Sequence, residues 1–177
     1  MTKRLFASTV LAALVSSTAL GSAQAQDAAG WDFDGVPAWS DPQGGDSFTF
    51  RGRIYLDAAN IDFEQAGVTT RYDDSEIRTA RLGVTGRFHN VNYVAEFDLI
   101  DEAVVANDVY LTFHGEGFDV LLGHMKTPNS LEEQTSSRYI SFMERGAATD
   151  LFGLDRRVGV ALAHHGEAYT VKAGIYG

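Results

Sequence analysis

Polar and apolar residues alternate with period two along most of the chain, in segments of about ten residues, and helical periodicity is nearly absent. Seven amphipathic strands are predicted. The first, roughly 47–59, puts Phe48, Phe50, Gly52, Ile54, Leu56 and Ala58 on one face and Thr49, Arg51, Arg53, Tyr55 and Asp57 on the other. The second, about 78–88, sets Ala80, Leu82, Val84, Gly86 and Phe88 against Thr79, Arg81, Gly83, Thr85 and Arg87. In the third, 91–99, Val91, Tyr93, Ala95, Phe97 and Leu99 oppose Asn92, Val94, Glu96 and Asp98. The fourth, near 105–114, has Val109, Leu111 and Phe113 against Asp108, Tyr110, Thr112 and His114. Three more follow, with apolar faces Phe118, Val120 and Leu122, then Val158, Val160 and Leu162, then Tyr169, Val171, Ala173 and Ile175.

The connections alternate as well. His89-Asn90, 114–117 and 163–168 are short enough to close hairpins. Between them fall an acid-rich loop at 60–77, a tight link at 100–104 and a long stretch at about 126–155. Pairing across the first short turn puts Leu82 opposite Phe97, Gly86 opposite Tyr93 and Phe88 opposite Val91, and on the polar face Arg81 opposite Asp98. One register satisfies both faces. Phe48, Phe88, Phe113, Phe118 and Tyr169 all point to the apolar face at the short-turn end, which is the arrangement of a membrane-interface girdle. The predicted fold class is therefore all-β, an antiparallel transmembrane outer-membrane β-barrel. A soluble sandwich or small barrel would alternate too, but its core has no reason to collect rings at one height.

The N-terminus agrees with export. A basic start, Lys3-Arg4, precedes an apolar stretch to about Leu20, and Ala23-x-Ala25 fits a signal-peptidase site. The expected organisation is a signal peptide over 1–25, an acidic segment over 26–46 and the barrel over 47–177. The 177 residues carry a formal charge of −10, and a pI near 4.8 argues against a nucleic-acid partner, which needs a basic footprint. With no cysteine there is no disulfide framework and no thiolate site. His164-His165 and Glu132-Glu133 are the visible candidates for acid–base or metal chemistry, but adjacent strand residues face opposite sides, so the two His rings diverge. An enzyme is not expected, nor a cofactor.

Seven strands do not close a bacterial single-chain barrel of even strand number, and an open edge in lipid leaves backbone groups unsatisfied. The polar face carries Arg51, Arg53, Arg81, Arg87, Arg157 and Lys172 against Asp57, Glu96, Asp98 and Asp108. So many charges are easier to hydrate in a wide lumen than to pair in a narrow one. The expectation is the N-terminal part of a larger porin, an incomplete barrel. The alternatives are a non-conducting structural outer-membrane barrel, or a truncated porin fragment without transport activity.

The stretch from Gly123-His124-Met125-Lys126-Thr127-Pro128-Asn129-Ser130-Leu131-Glu132-Glu133 through Thr135-Ser136-Ser137-Arg138-Tyr139-Ile140-Ser141-Phe142-Met143-Glu144-Arg145 resembles the phosphate-selective porin O and P family. So do Phe50-Arg51-Gly52-Arg53, Glu76 to Val84, and Arg156-Arg157-Val158-Gly159-Val160. The chain departs from the family's usual pattern at His124, where members carry Gln, and at Asn129, often an aromatic. The resemblance implies a homotrimer of 16-stranded barrels in a Gram-negative outer membrane, surrounded by membrane lipid and passing small anions such as phosphate. It also implies a long loop folded inward, for which 126–155 is the match, with basic residues guiding anions. The candidate pore-lining residues are Arg51, Arg53, Arg81, Arg87, Lys126, Arg138, Arg145, Arg157 and Lys172. Arg51 and Arg53 are the best placed for a basic ladder, while Arg81 opposite Asp98 is expected to form a wall ion pair. Glu132, Glu133 and Glu144 could instead tie Arg138 and Arg145 into the loop's own scaffold.

Overall fold

The computed structural model describes residues 13–15, 30–33, 35–100, 103–142 and 144–177. One antiparallel sheet dominates it. A short strand β1 (Ala13–Val15) pairs with the segment Ile54 to Leu56. Apart from these three residues, the export signal expected over 1–25 lies outside the described residues. In the acidic segment, β2 (Gly30–Asp32) and β3 (Ala38–Ser40) form a small hairpin on the edge of the sheet.

The predicted strands follow as β4 (Ser47–Gln65), β5 (Val68–Phe88), β6 (Val91–Asp98), β7 (Val105–His114), β8 (Asp119–Lys126), β9 (Arg156–His165) and β10 (Thr170–Tyr176). Each pairs with the next, so the order from β2 to β10 is that of the chain. The pairings Arg81 with Asp98, Leu82 with Phe97, Gly86 with Tyr93 and Phe88 with Val91 are all present. The predicted apolar face is the bare one. Ile54, Leu56, Leu82, Leu111, Leu122, Val160, Leu162 and Val171 are exposed along it, and Phe88, Phe113, Phe118 and Tyr169 stand exposed at the short-turn end. Phe48 is covered by edge-on contacts with Trp31 and Phe50. Burial lies on the polar face, where Tyr55, Glu96 and Met125 are enclosed. That inversion of the soluble rule is what a sheet facing lipid requires.

The acid-rich loop expected at 60–77 is a correction. These residues extend β4 and β5 into a two-stranded ribbon closed at Ala66-Gly67, both with positive φ (52° and 78°), the geometry of a tight primed hairpin. The acids belong to cross-strand pairs: the Arg71 Nε donates to Asp62 at 2.9 Å, and Asn60 bonds Asp73. Along the ribbon the amphipathy reverses. The face that carries Ile54 and Leu56 lower down becomes Asn60, Asp62 and Glu64 beside Arg71 and Asp73, while Ile61, Phe63 and Tyr72 move to the lumenal face. The reversal marks the level at which the outer face of the wall leaves hydrocarbon for water.

Two bulges break the alternation. Between Tyr55/Leu56 and Thr79/Ile77, one extra residue, Arg78, is inserted in β5. Strict alternation from Ala80 and Leu82 would aim Arg78 at lipid, at a cost of ~2–4 kcal/mol near the midplane. The bulge turns it to the polar face, where its Nε stands 2.5 Å from Asp57. A second bulge sets Asn107 and Asp108 against Glu96.

Candidate lumenal site

The polar face of the sheet and the connection 127–155 enclose a cavity of about 600 Å3. Alternation supplies the wall: Arg51, Arg53 and Tyr55 from β4, Thr79 and Arg81 from β5, Asp108 and Tyr110 from β7. The connection supplies the opposite side, including Ser137, Arg138 and Tyr139. It holds two short helices, α1 (Leu131–Gln134), capped by the Ser130 hydroxyl accepting from the Glu133 N–H, and α2 (Ala147–Phe152).

The connection is fixed at both ends and to the far wall. At its root the Thr127 N–H donates to the Asp155 carbonyl (3.0 Å), and Gln134 Nε2 donates to the Thr127 carbonyl (2.8 Å). Across the cavity Arg53 Nη1 donates to Ser137 Oγ (3.2 Å), which also meets the Tyr55 hydroxyl (3.4 Å), and Arg78 Nη1 bonds Glu144 (3.1 Å). Glu132 ties the two helices together by accepting from the Gly146 N–H (3.0 Å) and from the Thr149 hydroxyl. Those two hydrogen bonds, Thr149 first, hold its carboxyl below the ordinary glutamate range.

The predicted cations divide into groups. Arg51, Arg53 and Arg81 converge on one carboxylate, Glu96, at 3.5, 3.2 and 3.7 Å, and Arg81 also donates to Asp98 at 2.9 Å. Glu96 is 1% exposed. Arg51 reaches it because the residue between them in the sheet is Gly83: Arg51 pairs with Gly83 and Gly83 with Glu96. A Cβ on Gly83 would stand 2.8 Å from the Glu96 Cα. Lys126, the last residue of β8, donates to the Glu133 carbonyl (2.5 Å) with the Glu133 carboxylate at 3.7 Å. Arg145 shares that carboxylate at 3.7 Å and donates to the carbonyls of Glu132 and Thr135, so it is built into the connection. Arg138 is different. It lines the cavity, and no carboxylate among the described residues lies within 4 Å of its guanidinium. Lys172 lines the cavity from β10. Arg87 lies exposed at the short-turn end, donating to the His89 carbonyl (2.6 Å). Arg157 is exposed and donates to the Leu154 carbonyl (3.2 Å), and the cavity is lined instead by its neighbour Arg156.

Sequence reasoning missed Arg156, Arg78 and Gly83. Arg156 is held by Asp108 through two hydrogen bonds, 2.9 and 3.3 Å. Arg78 had a signal, since a guanidinium on the lipid parity of a strand demands a bulge. Arg78 and Arg53 also flank the Tyr55 ring, with guanidinium carbons 5.1 and 5.9 Å from its centroid.

Nine basic side chains therefore line the cavity: Arg51, Arg53, Arg78, Arg81, Arg138, Arg145, Arg156, Lys126 and Lys172. Two carboxylates, Asp108 and Glu144, line it with them. Five more, Glu96, Asp98, Asp57, Glu133 and the exposed Asp155, stand within 4 Å of the lining arginines as partners. Among the described residues, nine cations against seven anions leave a positive surface. Residues 48–177 match the family model described as phosphate-selective porin O and P. The chain belongs to the phosphate-selective porin O and P family. A protein of Caulobacter vibrioides (strain ATCC 19089 / CIP 103742 / CB 15), named as uncharacterized, is 32% identical over 132 residues. The match covers 73% of this chain and 27% of that relative, so the matched region spans about a quarter of the relative's length. The family is one of channels rather than enzymes, it fits an outer-membrane β-barrel, and it implies the Gram-negative outer membrane.

Proposed function

We propose that the protein forms a water-filled outer-membrane channel that favours anions, phosphate among them. The observation that carries this is the nine-to-two excess of basic over acidic side chains lining the cavity. An anion's preference is set by charges within a Debye length of about 8 Å, and within that range the partner carboxylates behind the arginines reduce the positive excess without cancelling it. The connection 127–155, tied across to Arg53, Tyr55 and Arg78, narrows the path beside them. The complete protein is then a 16-stranded barrel and a homotrimer, delivered by a cleaved signal peptide over 1–25, with the five girdle aromatics at one membrane interface. The test is the reversal potential of the native protein in a planar bilayer under a potassium chloride gradient. Arg51→Ala with Arg53→Ala leaves Glu96 facing Arg81 alone, and the anion preference falls several-fold. A reversal potential that stays unchanged in the double variant sinks the assignment.

A further inference from the structure

The cavity is more than a ring of charge. Beside its guanidinium groups it carries Leu121 and Ile140, and the ring of Tyr139, which is 70% exposed. A hydrated inorganic anion gains nothing from these side chains, because its shell of water would only be set against apolar surface. The cavity volume of about 600 Å3 is also that of a pocket for an organic molecule of moderate size. Arg138 and Tyr139 both line this cavity, so one solute in it has access to the Arg138 guanidinium and to the Tyr139 ring. Arg138 is also the lining arginine that no described carboxylate neutralises within 4 Å.

We propose that this cavity is a binding site for aromatic oxyanions, with the oxygens taken by Arg138 and the ring stacked on Tyr139. The inference rests on the anion-channel reading and specifies the solute class of the same site. A planar guanidinium accepts carboxylate and phosphate heads alike, through paired N–H donors. The ring contact is what separates an aromatic solute from a small one, and a stacked pair corresponds to ~3- to 10-fold in affinity.

The experiment compares phenyl phosphate with methyl phosphate, two solutes with the same head group, as blockers of chloride current through the native full-length protein in planar bilayers. Phenyl phosphate is expected to reach half-block at ~3- to 10-fold lower concentration. Tyr139→Ala removes that difference and leaves the methyl phosphate block unchanged, while Tyr139→Phe keeps it. Tyr139 is exposed and its side chain makes no hydrogen bond among the described residues, so both variants retain the fold. Equal half-blocking concentrations in the native protein overturn the proposal, and so does a preference that survives Tyr139→Ala. Absence of anion preference in a salt gradient overturns the channel reading beneath it, so the two failures are told apart.

Discussion

Glu96 is the carboxylate on which Arg51, Arg53 and Arg81 converge. It takes three guanidinium groups within 3.7 Å and is 1% exposed, on a strand that alternation places facing the lumen. Glu96→Gln keeps the shape and one accepting oxygen but removes the charge. Two effects follow. Three arginines lose their shared counter-ion, and breaking a buried pair costs about 3–5 kcal/mol. The lower end applies here, because the Arg51 side chain is 33% exposed and Arg81 retains Asp98 at 2.9 Å. The second effect is on permeation. One uncompensated positive charge ~6 Å from a passing ion in water is worth ~0.7 kcal/mol, about threefold for an anion and the inverse for a cation. The variant is expected to unfold at a lower temperature in detergent, followed by loss of the compact band on a gel. Those channels that form should show a reversal potential shifted further toward the chloride limit. A variant with native stability would refute the keystone role of Glu96, and a shift toward the cation limit would refute the electrostatic argument.

Two further outcomes follow from neighbouring features. Gly83→Ala places a Cβ against the Ala95 carbonyl and the backbone of Glu96, so it should destabilise the barrel by ~1–3 kcal/mol, measured by the same thermal assay; native stability would show that the Arg51–Gly83–Glu96 row can relax. For pH, Glu132 has a lowered carboxyl pKa in the folded loop, so its bracing of α1 and α2 is fully present above the unfolded glutamate value of about 4.3 and is lost as pH falls through the folded value below it. Protease cleavage within 131–152 should therefore be flat from pH 7 down to about 5 and rise only below the ordinary glutamate range. Cleavage that rises already near pH 6 would contradict this.

The strand wall was legible because lipid outside and water inside impose opposite demands on alternate residues. That constraint fixes register to the residue, as Arg81 opposite Asp98 and Gly86 opposite Tyr93 show. The ribbon at 60–77 escaped because the same period-two pattern changes sign there. Acids on the outer face look like loop composition, although Ile61, Phe63 and Tyr72 still alternate and Ala66-Gly67 supplies the turn. The basic residues of the wall were visible as a set, but not their partners. Alternation says that Arg51, Arg53 and Glu96 share a face. It does not say that a glycine between two of them lets all three arginines meet one carboxylate. Arg145 and Arg138 were indistinguishable in sequence, both basic in an acid-rich stretch. What separates them is the fold of the connection, which brings Glu133 to Arg145 and, among the described residues, brings no carboxylate within 4 Å of Arg138.

A chain with a formal charge of −10 thus presents a basic lumen, and the reason is where each acid is spent. Asp62, Glu64 and Asp73 lie on the outer face of the ribbon, beyond the level where the wall leaves lipid. Asp57, Glu96, Asp98 and Glu133 lie behind the guanidinium groups, each within 4 Å of a cation it positions. An acid in that place holds an arginine in one orientation and cancels part of its charge. An arginine held by an acid on the far side keeps its remaining N–H donors toward the cavity. The field at the constriction is the sum over groups within one screening length, and the distant acids drop out of it. Net charge therefore predicts neither the sign nor the strength of this lumen. The placement of three buried or half-buried carboxylates, Glu96, Asp98 and Glu133, decides which arginines remain aimed at solute, and Arg138 is the one they leave over.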